Sequence, residues 1–192
     1  MEVEHTVSGV YWAVLAVTIV VGSIAALRWA EWERDRATLT AFLAGLPLSY
    51  LINEFVKVPL MPKAPFMPVS GPPAWGLLLS LLWISPVVEE AAKLLQLTLP
   101  GVRAGLSTRE SFLRTGMAAG FGFGLGEAWY VAWGIARTAA YSSLPLLALT
   151  GYISERLIMT FAHAAMTTLA VTGFSGYARA VALHAFINLG PL

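Results

Sequence analysis

From residue 8 to residue 27 the chain runs for twenty positions without one charged side chain. A helix rises about 1.5 Å per residue and the hydrocarbon core of a bilayer is about 30 Å thick, so about twenty apolar residues are enough to cross it. Five further stretches reach or approach that length, at about residues 39–60, 74–99, 112–136, 150–174 and 177–192. The polar residues 28–36 separate the first two, and residues 61–73, with five prolines, predict an ordered external loop because proline interrupts helix. Composition agrees. The chain is 57% hydrophobic and 12% charged, against about 45–50% and about 25% in soluble domains. The reading is an all-α, polytopic transmembrane bundle of about six spans, forming a single integral-membrane domain over residues 1–192.

Charge excludes some partners and sets an orientation. A net charge of +1 with no dense Lys/Arg cluster argues against a nucleic acid. The chain has no cysteine, so disulfides and thiolate metal sites are excluded. The first residues, Met1-Glu2-Val3-Glu4-His5, are acidic rather than basic, which predicts a retained first helix and not a secretory signal. Loops after the first, third and fifth spans hold Arg28, Arg34, Arg36, Arg103, Arg109, Arg114 and Arg179, whereas the opposite loops hold Lys63 and Arg137. Basic loops stay cytoplasmic, so both termini are expected on the non-cytoplasmic side; the membrane itself is expected to be a prokaryotic cell membrane. The stretch 144–174 decides the count: two crossings there would give seven spans and place the C-terminus inside.

Ionisable groups inside such spans cost roughly 2.5–3.5 kcal/mol each on insertion scales and therefore need a reason. The third span carries Glu89, Glu90 and Lys93 just after Pro86. On a helix Glu89 and Lys93 stand four apart and are expected to pair, leaving Glu90 about 100° round on another face. Glu127 lies deep in a glycine-rich fourth span, with Tyr130 one turn on. Its glycines at four-residue spacing suit close helix packing. The fifth span holds Glu155-Arg156, read as a structural charge pair, and His163; the sixth holds His184 and Asn188, four apart on one face. Asn53, Glu54 and Lys57 sit near the outer end of the second span, where they can reach the interface and serve structure. Each of these has a bland explanation by itself, as a headgroup-reaching pair or an interhelical clasp. Six of them, Glu89, Glu90, Glu127, His163, His184 and Asn188, on four separate spans, predict one shared polar chamber.

Taken in order, Glu89-Glu90-x-x-Lys93, Phe123-x-x-x-Glu127-x-x-Tyr130, a lone His163 and His184-x-x-x-Asn188 resemble the PrsW group of the superfamily of CAAX-prenyl and bacteriocin-processing intramembrane proteases. The YhfC group, assigned to the same superfamily, is similar around the glycine-rich stretch with Glu127 and around Glu155-Arg156 and His163. CAAX-type members carry Arg after the paired glutamates and His where Glu127 stands, which points away from a prenylated substrate. The resemblance implies an endopeptidase that cleaves a membrane protein or peptide in or beside the bilayer with a glutamate-activated water. Glu90 is then the expected base with His163 orienting the water, while His184 and Asn188 stabilise the oxyanion. No cofactor is required in that version. In a metal-assisted one, Glu127, His163 and His184 form a zinc set.

Two readings of other classes compete. Glutamates and histidines across helices also build proton- or ion-coupled transporters, although no internal repeat of the kind such proteins carry is evident. A non-catalytic membrane scaffold with the same fold is the other.

Overall fold

The computed structural model describes residues 9–33, 35–60, 80–137 and 144–189. Among these the chain is helical apart from short turns, with no strand. Helix α1 is Gly9–Glu33 and α2 is Arg36–Ile52; the latter continues through a π-helical turn, Asn53–Lys57, to Leu60. A second π-helical turn, Ser80–Ile84, leads into α3, Ser85–Leu95. After a 3₁₀ turn come the single-turn α4, Pro100–Arg103, and the long α5, Arg109–Ala136. A 3₁₀ turn at Leu146–Leu149 precedes α6, Thr150–Ala170, and α7 is Phe174–Leu189. The expected proline-rich loop at 61–73, the start of the third span and the ends of the chain lie outside the described residues. Residues 150–170 form one helix and not two. The first helix runs on to Glu33, through most of the polar stretch expected to end it.

Local chemistry fixes the helix ends. Asp35 caps α2, its side chain accepting from the Thr38 backbone N–H at 3.2 Å and the Thr38 hydroxyl at 2.7 Å. Thr108 caps α5 in a reciprocal box with Ser111. Between α6 and α7, Gly173 takes φ +121°, a conformation that glycine alone adopts without strain, and this lets the chain reverse in three residues.

Helix α5 is the centre of the bundle, and its glycines are the reason. A Cβ on Gly122 or Gly126 would collide with the carbonyls of Phe42 and Leu46 on α2, and Gly45 of α2 meets the α5 backbone in return. On the other face, Gly120 and Gly124 lie against the α6 backbone at His163–Ala164 and Thr160. Two glycine ladders, offset by two residues, thus seat two helices against one at backbone contact. Helix α1 closes the group, with Trp129 Nε1 of α5 donating to Thr18 Oγ1 at 2.9 Å. Helix α7 docks on α3, where the Tyr177 hydroxyl donates to the Val87 carbonyl at 3.0 Å.

The outward faces are apolar. Ile19, Leu43, Leu95, Trp133, Ile158 and Phe186, on six different helices, are all exposed. Among the described residues one helix, Arg36–Leu60, is by itself long and apolar enough to cross a membrane, and Gly9–Ile24 is a shorter apolar one. Helix α5 gives up hydropathy to its glycines and Glu127, and α6 to Glu155, Arg156 and His163.

Candidate active site

Polar side chains converge where α2, α3, α5, α6 and α7 meet. Lys93, Glu89, Glu90, His163 and His184 are among the largest side chains that the protein buries completely. Their placement starts with α3. Pro86 stands in the first turn, where its missing N–H costs nothing. One turn later, Glu89 and Glu90 leave the helix on adjacent faces.

The expected Glu89–Lys93 pair does not form. Lys93 Nζ binds Glu90 Oε1 at 2.5 Å, three residues back, and Glu89 Oε1 is held at 2.5 Å by Lys57 of α2. Both i,i+3 and i,i+4 pairings are open on a helix face. The neighbours decide between them. His163 Nδ1 on α6 draws Lys93 to 2.9 Å, toward the Glu90 side. Lys57 approaches Glu89 from the other side, and the Ser85 hydroxyl donates to the same Oε1 at 2.6 Å.

From these pairs a continuous chain of contacts extends. Arg156 Nη1 donates to Glu127 Oε2 at 3.2 Å, and the same oxygen lies 3.0 Å from His163 Nε2. Lys93 has only protons to give, so His163 Nδ1 accepts and its Nε2–H donates to Glu127. Beyond Lys93 and Glu90, His184 Nδ1 donates to Glu90 Oε1 at 2.8 Å. A neutral His184 ring in that tautomer turns the lone pair of Nε2 toward Glu89 Oε2, 3.6 Å away. Three carboxylates (Glu89, Glu90, Glu127) are therefore matched by three cations (Lys57, Lys93, Arg156), and this balance lets so many charges sit inside. Phe123 seals the back, with its ring 5.3 Å from that of His163 and its face 5.1 Å from Lys93 Nζ.

One side of the cluster opens into a cavity of about 650 Å³. Glu89, Glu127, His184 and Asn188 line it, together with Lys57, Tyr130 and Arg156, whereas Glu90 and His163 do not. Glu155, also on its wall, has a side chain that is 47% exposed and paired with Arg156. Among the described residues, two carboxylate oxygens in the cluster, Glu89 Oε2 and Glu90 Oε2, are buried with no hydrogen-bond partner. A buried acceptor without a partner needs a reason, and Glu89 alone of the two has the cavity beside it.

Five of the six residues singled out from sequence therefore touch one another in series, and the sixth, Asn188, lines the same cavity. Lys57, expected at the outer end of the second span and able to reach the interface, is buried and holds Glu89. The signal was present in its spacing: Ser49, Asn53 and Lys57 recur every four residues, and all three are buried. Arg156 makes the expected pair with Glu155 and also holds Glu127.

Among the described residues, the group able to hold a metal is Glu89, His163 and His184, whose ligand atoms lie within 4.8 Å of one another; Glu127 is not in that set. The set fits a cation poorly. The one lone pair on His163 already accepts from the Lys93 ammonium at 2.9 Å, which would also repel a metal.

Comparison with protein families, with curated proteins and with solved structures finds no match for this chain.

Proposed function

We propose that the protein is a polytopic intramembrane endopeptidase, both termini on the non-cytoplasmic side of a cell membrane, which hydrolyses a peptide bond with a water activated by Glu89. The motif order of the PrsW-like branch supports this, as do the exposed apolar faces of the helices, which suit lipid. The observation that carries the reading is the facing pair at the cavity wall. Among the described residues Glu89 Oε2 has no hydrogen-bond partner and lies 3.6 Å from His184 Nε2, which is an acceptor when the ring is neutral with its proton on Nδ1 toward Glu90. Two acceptors at that separation are satisfied together by a molecule with two protons, and water is that molecule.

The steps follow from the placement. The water gives one proton to Glu89 Oε2 as its oxygen attacks the carbonyl carbon of the peptide, while His184 Nε2 orients it. The carbonyl oxygen becomes an oxyanion, and the side-chain amide of Asn188, on the cavity wall one turn from His184, donates to it. When the C–N bond breaks, the proton on Glu89 passes to the leaving amine, and both groups return to their starting state. Glu89 takes the role expected of Glu90 because Glu89 lines the cavity and Glu90 is closed in behind Lys93. Glu90 holds His184 in its tautomer. Glu127, with Arg156, fixes His163, which in turn fixes Lys93.

The test is cleavage of an internally quenched pool of single-span peptides by the full chain in vesicles. Glu89→Gln keeps the shape and removes the base, so turnover should fall by about 10² or more. A chelator should leave the wild type unaffected, and loss restored by zinc would favour the metal-assisted version. Full activity in both Glu89→Gln and Glu127→Gln would end the glutamate-protease reading, and ion flux across the same vesicles would then favour a transporter.

A further inference from the structure

We infer that Lys57 is a positioning residue for Glu89, clamping one carboxylate oxygen so that the other is presented to the water; this rests on the reading of Glu89 as the base. Both donors to Glu89, Lys57 Nζ at 2.5 Å and Ser85 Oγ at 2.6 Å, fall on Oε1. Neither touches Oε2, which is buried, has no hydrogen-bond partner among the described residues and lies 3.6 Å from His184 Nε2. A carboxylate can otherwise rotate about its last bond and exchange its oxygens. Two donors on one oxygen stop that rotation and fix which oxygen receives the proton. Lys57 is also the only ammonium or guanidinium group in contact with Glu89 among the described residues, since Lys93 is taken by Glu90 and Arg156 by Glu127.

The backbone of α2 is shaped to deliver this lysine. Ser49, Asn53 and Lys57 are 0%, 6% and 8% exposed, so all three share the buried face. An unbroken α-helix advances about 100° per residue and would carry Lys57 about 80° round from Ser49, toward the side on which Tyr50 is exposed. The π-helical turn, closed by the Val58 N–H donating to the Asn53 carbonyl, winds more loosely and takes back much of that rotation. Proline at 59, two residues on, donates no backbone hydrogen bond of its own, which eases departure from the α-helical ladder. On the facing side, the second π-helical turn ends at Ile84, directly before Ser85, the other donor to Oε1. Irregular helix of this kind is an expense that proteins concentrate at working sites.

The experiment uses the full chain in vesicles and the quenched single-span peptide pool, with Lys57→Met, Lys57→Arg, Ser85→Ala and Glu89→Gln made separately. Lys57→Met should lower kcat by about tenfold or more with KM within about twofold, because the clamp acts on the base and not on the peptide. Lys57→Arg should restore kcat to within about threefold, since a guanidinium supplies both charge and donor. Ser85→Ala, which leaves the charges alone, should cost about threefold, the worth of one hydrogen bond. Adding Lys57→Met to Glu89→Gln should cost nothing further, as no base is left to position. Wild-type kcat in Lys57→Met beside an inactive Glu89→Gln overturns the inference while leaving Glu89 as the base. Equal losses with Met and Arg, together with a lowered melting temperature in both, would also overturn it, because that pattern belongs to a structural ion pair. Full activity in Glu89→Gln would instead remove the reading on which the inference rests.

Discussion

Lys93 has no exposed surface, and its ammonium is shared between Glu90 Oε1 and His163 Nδ1. A buried ion pair is costly to assemble and costlier to break, because removing one partner strands the other in low dielectric. Lys93→Met should therefore destabilise the fold by about 3–5 kcal/mol. The double change Glu90→Gln with Lys93→Met, which removes both charges, should recover most of that loss. Thermal unfolding in detergent checks both, and equal melting temperatures for the single and double variants would mean that the pair is not coupled. Asp35 makes a second residue-scale case, in the polar segment ahead of α2. Burial raises its pKa, but the Thr38 hydroxyl and N–H and the Arg114 guanidinium outweigh that and hold it below the usual 3.8. A depressed carboxyl contributes stability above its unfolded pKa and loses it as pH falls through the folded value. The protein should thus lose melting temperature progressively below about pH 4, and Asp35→Asn should blunt that acid limb.

Among the elements, α5 shows how glycine sets the spacing of a bundle. Its two ladders are not interchangeable: Gly122 and Gly126 receive α2, and Gly120 and Gly124 receive α6. A side chain at Gly122 would run into the Phe42 backbone, which cannot yield as a flexible side chain can. Gly122→Val should push α2 outward at a cost of about 1–3 kcal/mol or more, as overpacking does. It should also withdraw Lys57 from Glu89, lowering turnover even in the fraction that folds. Gly134, with open space around its Cβ position, is the control, and Gly134→Ala should leave the melting temperature unchanged or raise it. If Gly122→Val and Gly134→Ala behave alike, the ladder is not what seats α2.

For the whole molecule, α1, α2, α3, α5, α6 and α7 give six passes if each crosses the bilayer, and α4 is too short to count as one. The arginines at 103, 109, 114 and 179 then fall on one side, and the cavity walls at Lys57, Tyr130 and Gly151 lie in the other half. A reporter active only in the cytoplasm, fused to the C-terminus, should stay silent, and the same reporter inserted after Leu106 should be active. A strong C-terminal signal would mean an odd number of crossings or an inverted protein.

By itself the sequence determined that the chain is helical and which polar side chains its apolar stretches carry. Hydrophobic length and the positions of Glu89, Glu90, Glu127, His163 and His184 are local facts, and each of those side chains needs a partner in an apolar setting. The partners were not local. Glu89 could reach Lys93 on its own helix, yet it takes Lys57 from 32 residues away, because His163 draws Lys93 to the other side. The same holds for the choice between the two glutamates. Neighbours in sequence, they differ only in which one the packing of α2 and α7 leaves beside the cavity. Spacing within one helix says which face a residue occupies, and only the arrangement of the other helices says what stands opposite.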